Sequence, residues 1–272
     1  MRPRATARET GGMPSEFRTP LIVGGAVIGL SAVVAAVAVL SPEPPPTTTY
    51  EGADGESVTV SWEDYPANSG YAADEILAAP AEGEVVDRWD AMKLEIEERL
   101  VAWDLDFAPA LDDGWFPQSG NGYGGASSLV TYNSEEQLST GIPPREDWPE
   151  IVAIIDGVLA EHGIDPIELD ADDPQELGPD SWLLEQYGST DPDEWSVWNG
   201  TAYSNAEWFS LTIRDDDLFP GEVAPEPDEE RGEHWVSFSY GATTVPDAER
   251  EAFERRVEPF RGLDLPQSTS SD

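Results

Sequence analysis

The chain has 272 residues, 56 of them acidic and 14 basic, and its formal charge of −42 opposes docking on nucleic acid or anionic lipid. It has no cysteine, which excludes disulfides, thiol nucleophiles, zinc–thiolate sites and a lipid-bearing cysteine. Hydrophobic residues make up 39% and ten residues are Trp, enough to bury a core.

Residues 1–20 form an N-terminal segment carrying Arg2, Arg4, Arg8 and Arg18. Leu21–Leu40 follows as an uncharged run, LIVGGAVIGLSAVVAAVAVL. As a helix rising about 1.5 Å per residue it spans about 30 Å, the thickness of a bilayer core. No Lys or Arg occurs between Ser41 and Asp87. The excess of arginine before the run therefore predicts a single-pass helix, N-terminus in the cytoplasm and the rest outside the membrane. The alternative is a signal peptide cleaved after Ala36-Val37-Ala38. The apolar run is longer than the roughly 7–15 residues of a signal core, which favours a retained anchor. Gly25 and Gly29 form a GxxxG, a weak signal for helix dimerisation.

Residues 41–83 read as a proline-rich and acidic spacer, SPEPPPTTTY and onward. Within it Val58, Val60 and Trp62 alternate with polar residues, as in a strand. A folded domain is expected over residues 84–262. Val85, Trp89, Met92, Ile96, Leu100 and Trp103 recur at helical spacing, with Glu84–Arg88 and Glu95–Arg99 as i,i+4 pairs. Ser128–Tyr132 reads as a strand after the glycine-rich Gly120–Gly125. A second helix is predicted from Asp147, capped in a box with Glu150, with Ile151, Ile154, Ile155, Val158 and Leu159 as its buried stripe and Gly163 as its stop. Asn199-Gly200 signals a turn. Phe209–Ile213 and Val236–Tyr240 alternate as strands, and Pro246 opens a last helix with Phe253, Val257 and Phe260 inward. Residues 263–272 read as a disordered tail. Helices interleave with antiparallel strands without a βαβ rhythm. This predicts an α+β fold: a small, mainly antiparallel sheet with helices on one face.

Chemistry is sparse. His162 and His234 are the only histidines. One falls at a helix end and the other at a strand start, positions that structural roles explain. There is no GxSxG, and Gly120–Gly125 is not followed by the Lys-Ser or Lys-Thr of a phosphate loop. Asp170, Asp172 and Asp173 lie in one polar loop and are the candidate metal ligands, with calcium the candidate ion. The loop departs from the EF-hand pattern, since Pro174 replaces an oxygen ligand. No other cofactor is indicated. Asp215, Asp216 and Asp217 end a predicted strand, where paired carboxylates can serve as acid and base on a glycoside.

The arginine-rich start, single apolar run, proline spacer and acidic, Trp-rich, lysine-poor remainder together resemble envelope-anchored proteins of actinobacteria. The resemblance covers the chain in style rather than in motif. It implies an exported location and carries over no functional residue. The sequence thus points to a membrane-anchored, acidic extracytoplasmic domain, a non-catalytic module that binds or senses an envelope partner or a cation. The alternative is a carbohydrate-active hydrolase using Asp215 or Asp217.

Overall fold

A computed structural model describes residues 44–170, 189, 191–219 and 234–269. The run Leu21–Leu40 lies outside them, and among the described residues no helix is long and apolar enough to cross a membrane. In chain order the elements are β1 (Thr47–Glu51), β2 (Ser57–Ser61), α1 (Ala73–Ala78), α2 (Glu82–Arg99), β3 (Ala108–Pro109), β4 (Gly114–Pro117), β5 (Val130–Asn133) and β6 (Gln137–Ser139). There follow α3 (Trp148–Glu161), β7 (Glu168–Leu169), β8 (Val197–Ser204), β9 (Glu207–Asp215), β10 (His234–Thr244) and α4 (Arg250–Val257).

The fold is α+β, and every described strand pairing is antiparallel. Strict alternation in β9 sends Phe209, Leu211 and Ile213 to one face and Trp208, Ser210 and Thr212 to the other. β9 lies between β8 and β10, in an eight-stranded sheet of order β3-β6-β10-β9-β8-β7 with β5 also on β10 and β4 on β5. The inner face carries Val236, Phe238 and Tyr240 of β10, and α2 and α3 cover it. The α2 stripe Val85, Trp89, Met92 and Ile96 is fully buried, as is the α3 stripe Ile151, Ile155, Val158 and Leu159. Each such side chain contributes about 1.5–3 kcal/mol by leaving water.

Residues 44–83, read as a spacer, are structured and belong to the compact unit Pro44–Asp272. β1 and β2 form a hairpin, and Trp62, Tyr65 and Ile76 pack with Tyr123, Phe253, Val257 and Phe260 in a second core. Trp62 contacts Tyr65, Tyr123 and Phe260 at ring separations of 5.2, 5.6 and 5.1 Å. Acidic and small-residue composition concealed this, because a few aromatics spaced far apart carry the core. The C-terminal residues also depart from expectation: Leu263 and Leu265 pack on the second core, and Thr269 N–H donates to Gly122 O at 3.0 Å.

Three local readings need correction. Arg88 does not pair with Glu84. It donates from Nε to the buried Glu207 at 2.7 Å and also to the carbonyl of His162, because a carboxylate removed from water demands a partner more than an exposed one does. Asp147 sits at the N-cap of α3 without a side-chain capping bond; its Oδ2 instead accepts from Trp103 Nε1 at 2.9 Å. Asn199-Gly200 is not a turn but the middle of β8. Glycine is needed there because a Cβ would lie 2.4 Å from Ile167 Cγ2, and the hairpin turn falls at Asn205, whose φ is 51°.

The Gly120–Gly125 loop has a structural role. Asn121, fully buried, donates from Nδ2 to the carbonyls of Trp62, Glu63 and Tyr65. Its Oδ1 accepts from Tyr123 N–H and Gly125 N–H. A Cβ on Gly125 would stand 1.8 Å from Glu63 O, so the close approach of the two backbones requires glycine.

Candidate metal centre

The end of β9 and the start of β10 meet because the two strands pair in register, with Asp215 opposite His234. Beyond Asp215 the backbone makes a 3-10 turn over Asp216–Leu218, and Asp215 caps it by accepting from Asp217 N–H at 3.1 Å. The turn separates the three successive carboxylates. Asp216 turns away and takes both prongs of Arg214, at 2.8 and 3.3 Å, and is nearly buried. Asp215 and Asp217 face the imidazole. Asp215 Oδ1 lies 2.9 Å from His234 Nδ1, and Asp217 Oδ2 lies 3.6 Å from Nε2. His234 Nδ1 is itself shielded from solvent, and the 2.9 Å approach is not aligned as a hydrogen bond. Asp215 is well covered, while the Asp217 side chain is 84% exposed.

One ligand atom from each of Asp215, Asp217 and His234 lies within 4.8 Å of the others. Three donors bound at about 2.0–2.2 Å to one ion stand at most about 4.3 Å apart, so the set must draw together, with both carboxylates turned to one ring nitrogen, whereas Asp215 now approaches Nδ1 and Asp217 Nε2. Two carboxylates and an imidazole suit Zn²⁺ or Mn²⁺, since an imidazole nitrogen is a poor calcium ligand. Three protein donors leave room for water or a further ligand.

The structure treats the sequence candidates unequally. Asp170 follows β7 and is half-buried, while Asp172 and Asp173 lie outside the described residues. Of the strand-end acids, Asp215 and Asp217 are brought together and Asp216 is taken by Arg214. His162 is at the end of α3, 3.3 Å from Glu95, in a surface network with Arg99 and Glu161. His234, read as structural, stands beside Asp215 and Asp217. Compared with known protein families, curated proteins and solved structures, the chain matches none.

Proposed function

We propose that this chain is a membrane-anchored, non-catalytic binding module of the cell envelope, and that Asp215, Asp217 and His234 hold a divalent transition-metal ion. The observation that carries the metal reading is the convergence of two carboxylates and one imidazole from the paired ends of β9 and β10. The anchored topology rests on the uncharged Leu21–Leu40, the four arginines before it and the long stretch without a base after it. The acidic surface raises the local concentration of cations generally, and among the described residues the His234 cluster adds a nitrogen donor that discriminates among them.

The test is a melting series on the detergent-solubilised full chain with Zn²⁺, Mn²⁺, Ca²⁺ and Mg²⁺ at matched ionic strength. Binding to the folded state alone stabilises by about 2.7 kcal/mol at a hundredfold excess over Kd. Zn²⁺ or Mn²⁺ at micromolar concentration is expected to raise Tm, and Asp215→Asn and His234→Gln to abolish the rise. Stabilisation by calcium alone, lost in Asp170→Asn, would move the site to the 170–173 loop. Equal responses to all four ions in wild type and His234→Gln would reduce the cluster to ordinary surface charge.

A further inference from the structure

The sheet's outer face is uncharged along most of its middle, in a protein carrying −42. β8, β9 and β10 present Asn199, Thr201, Ser210, Thr212, Ser237 and Ser239 there, in cross-strand rows. Thr212 Oγ1 donates to Asn199 Oδ1 at 3.0 Å, and Ser210 and Ser239 hydroxyls meet at 2.7 Å.

One end of this face becomes aromatic. Tyr203, Trp208 and Gly241 lie opposite one another across three strands. A Cβ on Gly241 would fall 2.0 Å from Trp208 Cζ2, so the indole lies across the glycine, and Trp208 is half-buried there. The same arrangement recurs on the far side of β10: the Phe116 ring rests over Gly114, 3.3 Å from where a Cβ would be, and Phe116 is 54% exposed. Tyr203 is 61% exposed.

Beside Tyr203 opens a groove of about 620 Å³, walled by Asn68, Ser69, Tyr71, Gln118 and Ser119. Among the described residues, no charged side chain lines it. Its two amides are locked together, Asn68 Nδ2 donating to Gln118 Oε1 at 2.5 Å. Gln118 Nε2 donates to Thr131 Oγ1 at 3.0 Å, and Asn68 Oδ1 accepts from Gly70 N–H at 2.9 Å. Each amide therefore keeps one N–H and one acceptor lone pair for a ligand.

We propose that this groove, with Tyr203 as its platform and Trp208 as that residue's cross-strand neighbour, binds an uncharged oligosaccharide. The chemistry matches part by part. Flat ring faces accept the apolar C–H faces of pyranose rings. Fixed amides offering both a donor and an acceptor read vicinal hydroxyls, and a pre-locked amide pair loses little entropy on binding. The charge selects the same ligand. An acidic polymer is repelled by the surrounding protein, and a basic one finds no carboxylate among the described residues of the groove, whereas a neutral glycan is indifferent to both. The surface is separate from the Asp215–Asp217–His234 centre and needs no metal ion.

The test is titration of the solubilised full chain, in EDTA, with neutral hexaoses of glucose, mannose, galactose and N-acetylglucosamine, followed by Trp fluorescence and saturation-transfer NMR. A hexauronate and a proline-rich peptide serve as controls. At least one neutral hexaose is expected to bind at millimolar Kd or tighter. Tyr203→Ala and the double variant Asn68→Ala/Gln118→Ala should each weaken it tenfold or more. Gly241→Ala, which lifts the indole off the sheet, should weaken it while Tm and circular dichroism confirm an intact fold. Binding of the proline-rich peptide instead would overturn the glycan assignment in favour of a peptide groove. Binding of the uronate alone, of no ligand, or equally by all variants would overturn the proposal.

Discussion

Asn121 shows how much one side chain holds. Its amide, fully buried, ties the β2 exit at Trp62–Tyr65 to the glycine-rich loop with five hydrogen bonds. Each buried group left unpaired costs about 1–3 kcal/mol. Asn121→Ala is therefore expected to remove about 4 kcal/mol, measured by denaturant unfolding, against under 1 kcal/mol for an exposed Asn→Ala. Asn121→Asp is the sharper variant. Its new carboxylate faces three carbonyls, so its pKa in the folded state rises above the unfolded value of about 3.9. The deficit relative to wild type is then smallest below about pH 4 and grows as pH rises through the shifted value. A deficit independent of pH would show that the loop rearranges to solvate the charge.

At the scale of elements, α2 is joined to the sheet by an ion pair whose carboxylate is buried and whose guanidinium is partly exposed. Arg88 reaches Glu207 at the start of β9, and Tyr240 of β10 donates its hydroxyl to the same carboxylate at 2.5 Å. Burial, then the Glu207 charge, pushes the Tyr240 phenol far above its usual range. Arg88→Met strands the buried Glu207 charge and should cost about 3 kcal/mol, and Glu207→Leu, which leaves a partly exposed guanidinium, should cost less. The double variant should recover much of that, because two apolar groups of similar volume require no desolvated charge. Additive losses in the double cycle would instead assign the energy to packing. The α2, α3, β9 and β10 stripes were legible in the sequence because periodicity reports which face is buried. Arg88's partner was not legible, because local spacing offered Glu84 and only the tertiary fold brings Glu207 near. His234 was legible in part. Two adjacent antiparallel strands with Leu211 opposite Phe238 must also set Asp215 opposite His234, however long the intervening loop. The alternation of Val58 and Val60 made β2 legible, but its partner β1 and the aromatic core were missed because proline, acids and small residues outnumber the few rings that hold it.

For the whole molecule the dominant quantity is charge. Residues 41–272 hold 54 acids and 10 bases. Folding brings like charges closer than they stand in the open chain, and their repulsion opposes compaction. Local pairs such as Lys93 with Asp90 and Glu135, at 3.1 and 2.6 Å, offset only a little of it. Salt shortens the screening length from about 10 Å at 0.1 M to about 3 Å at 1 M. Raising NaCl from low to moderate concentration is therefore expected to raise Tm of the full chain, with KCl equivalent. A flat or falling Tm would mean that the acids are already far enough apart for water to screen them.

The glycine-rich loop also determines how the compact unit responds to a pull. Pro45 reaches the position beside Gly124, and Thr269 bonds Gly122; two residues along a chain span at most about 7 Å. The two ends of the described fold therefore leave from nearly the same place. Tension applied between them passes through the short bridge at this loop and bypasses β8, β9 and β10. The first bonds to yield are those of the C-terminal strap at Gly122 and of Pro46 O with Trp62 N–H. They are loaded one after another, as in a zipper, while the sheet that carries the groove and the Asp–His centre stays unstressed.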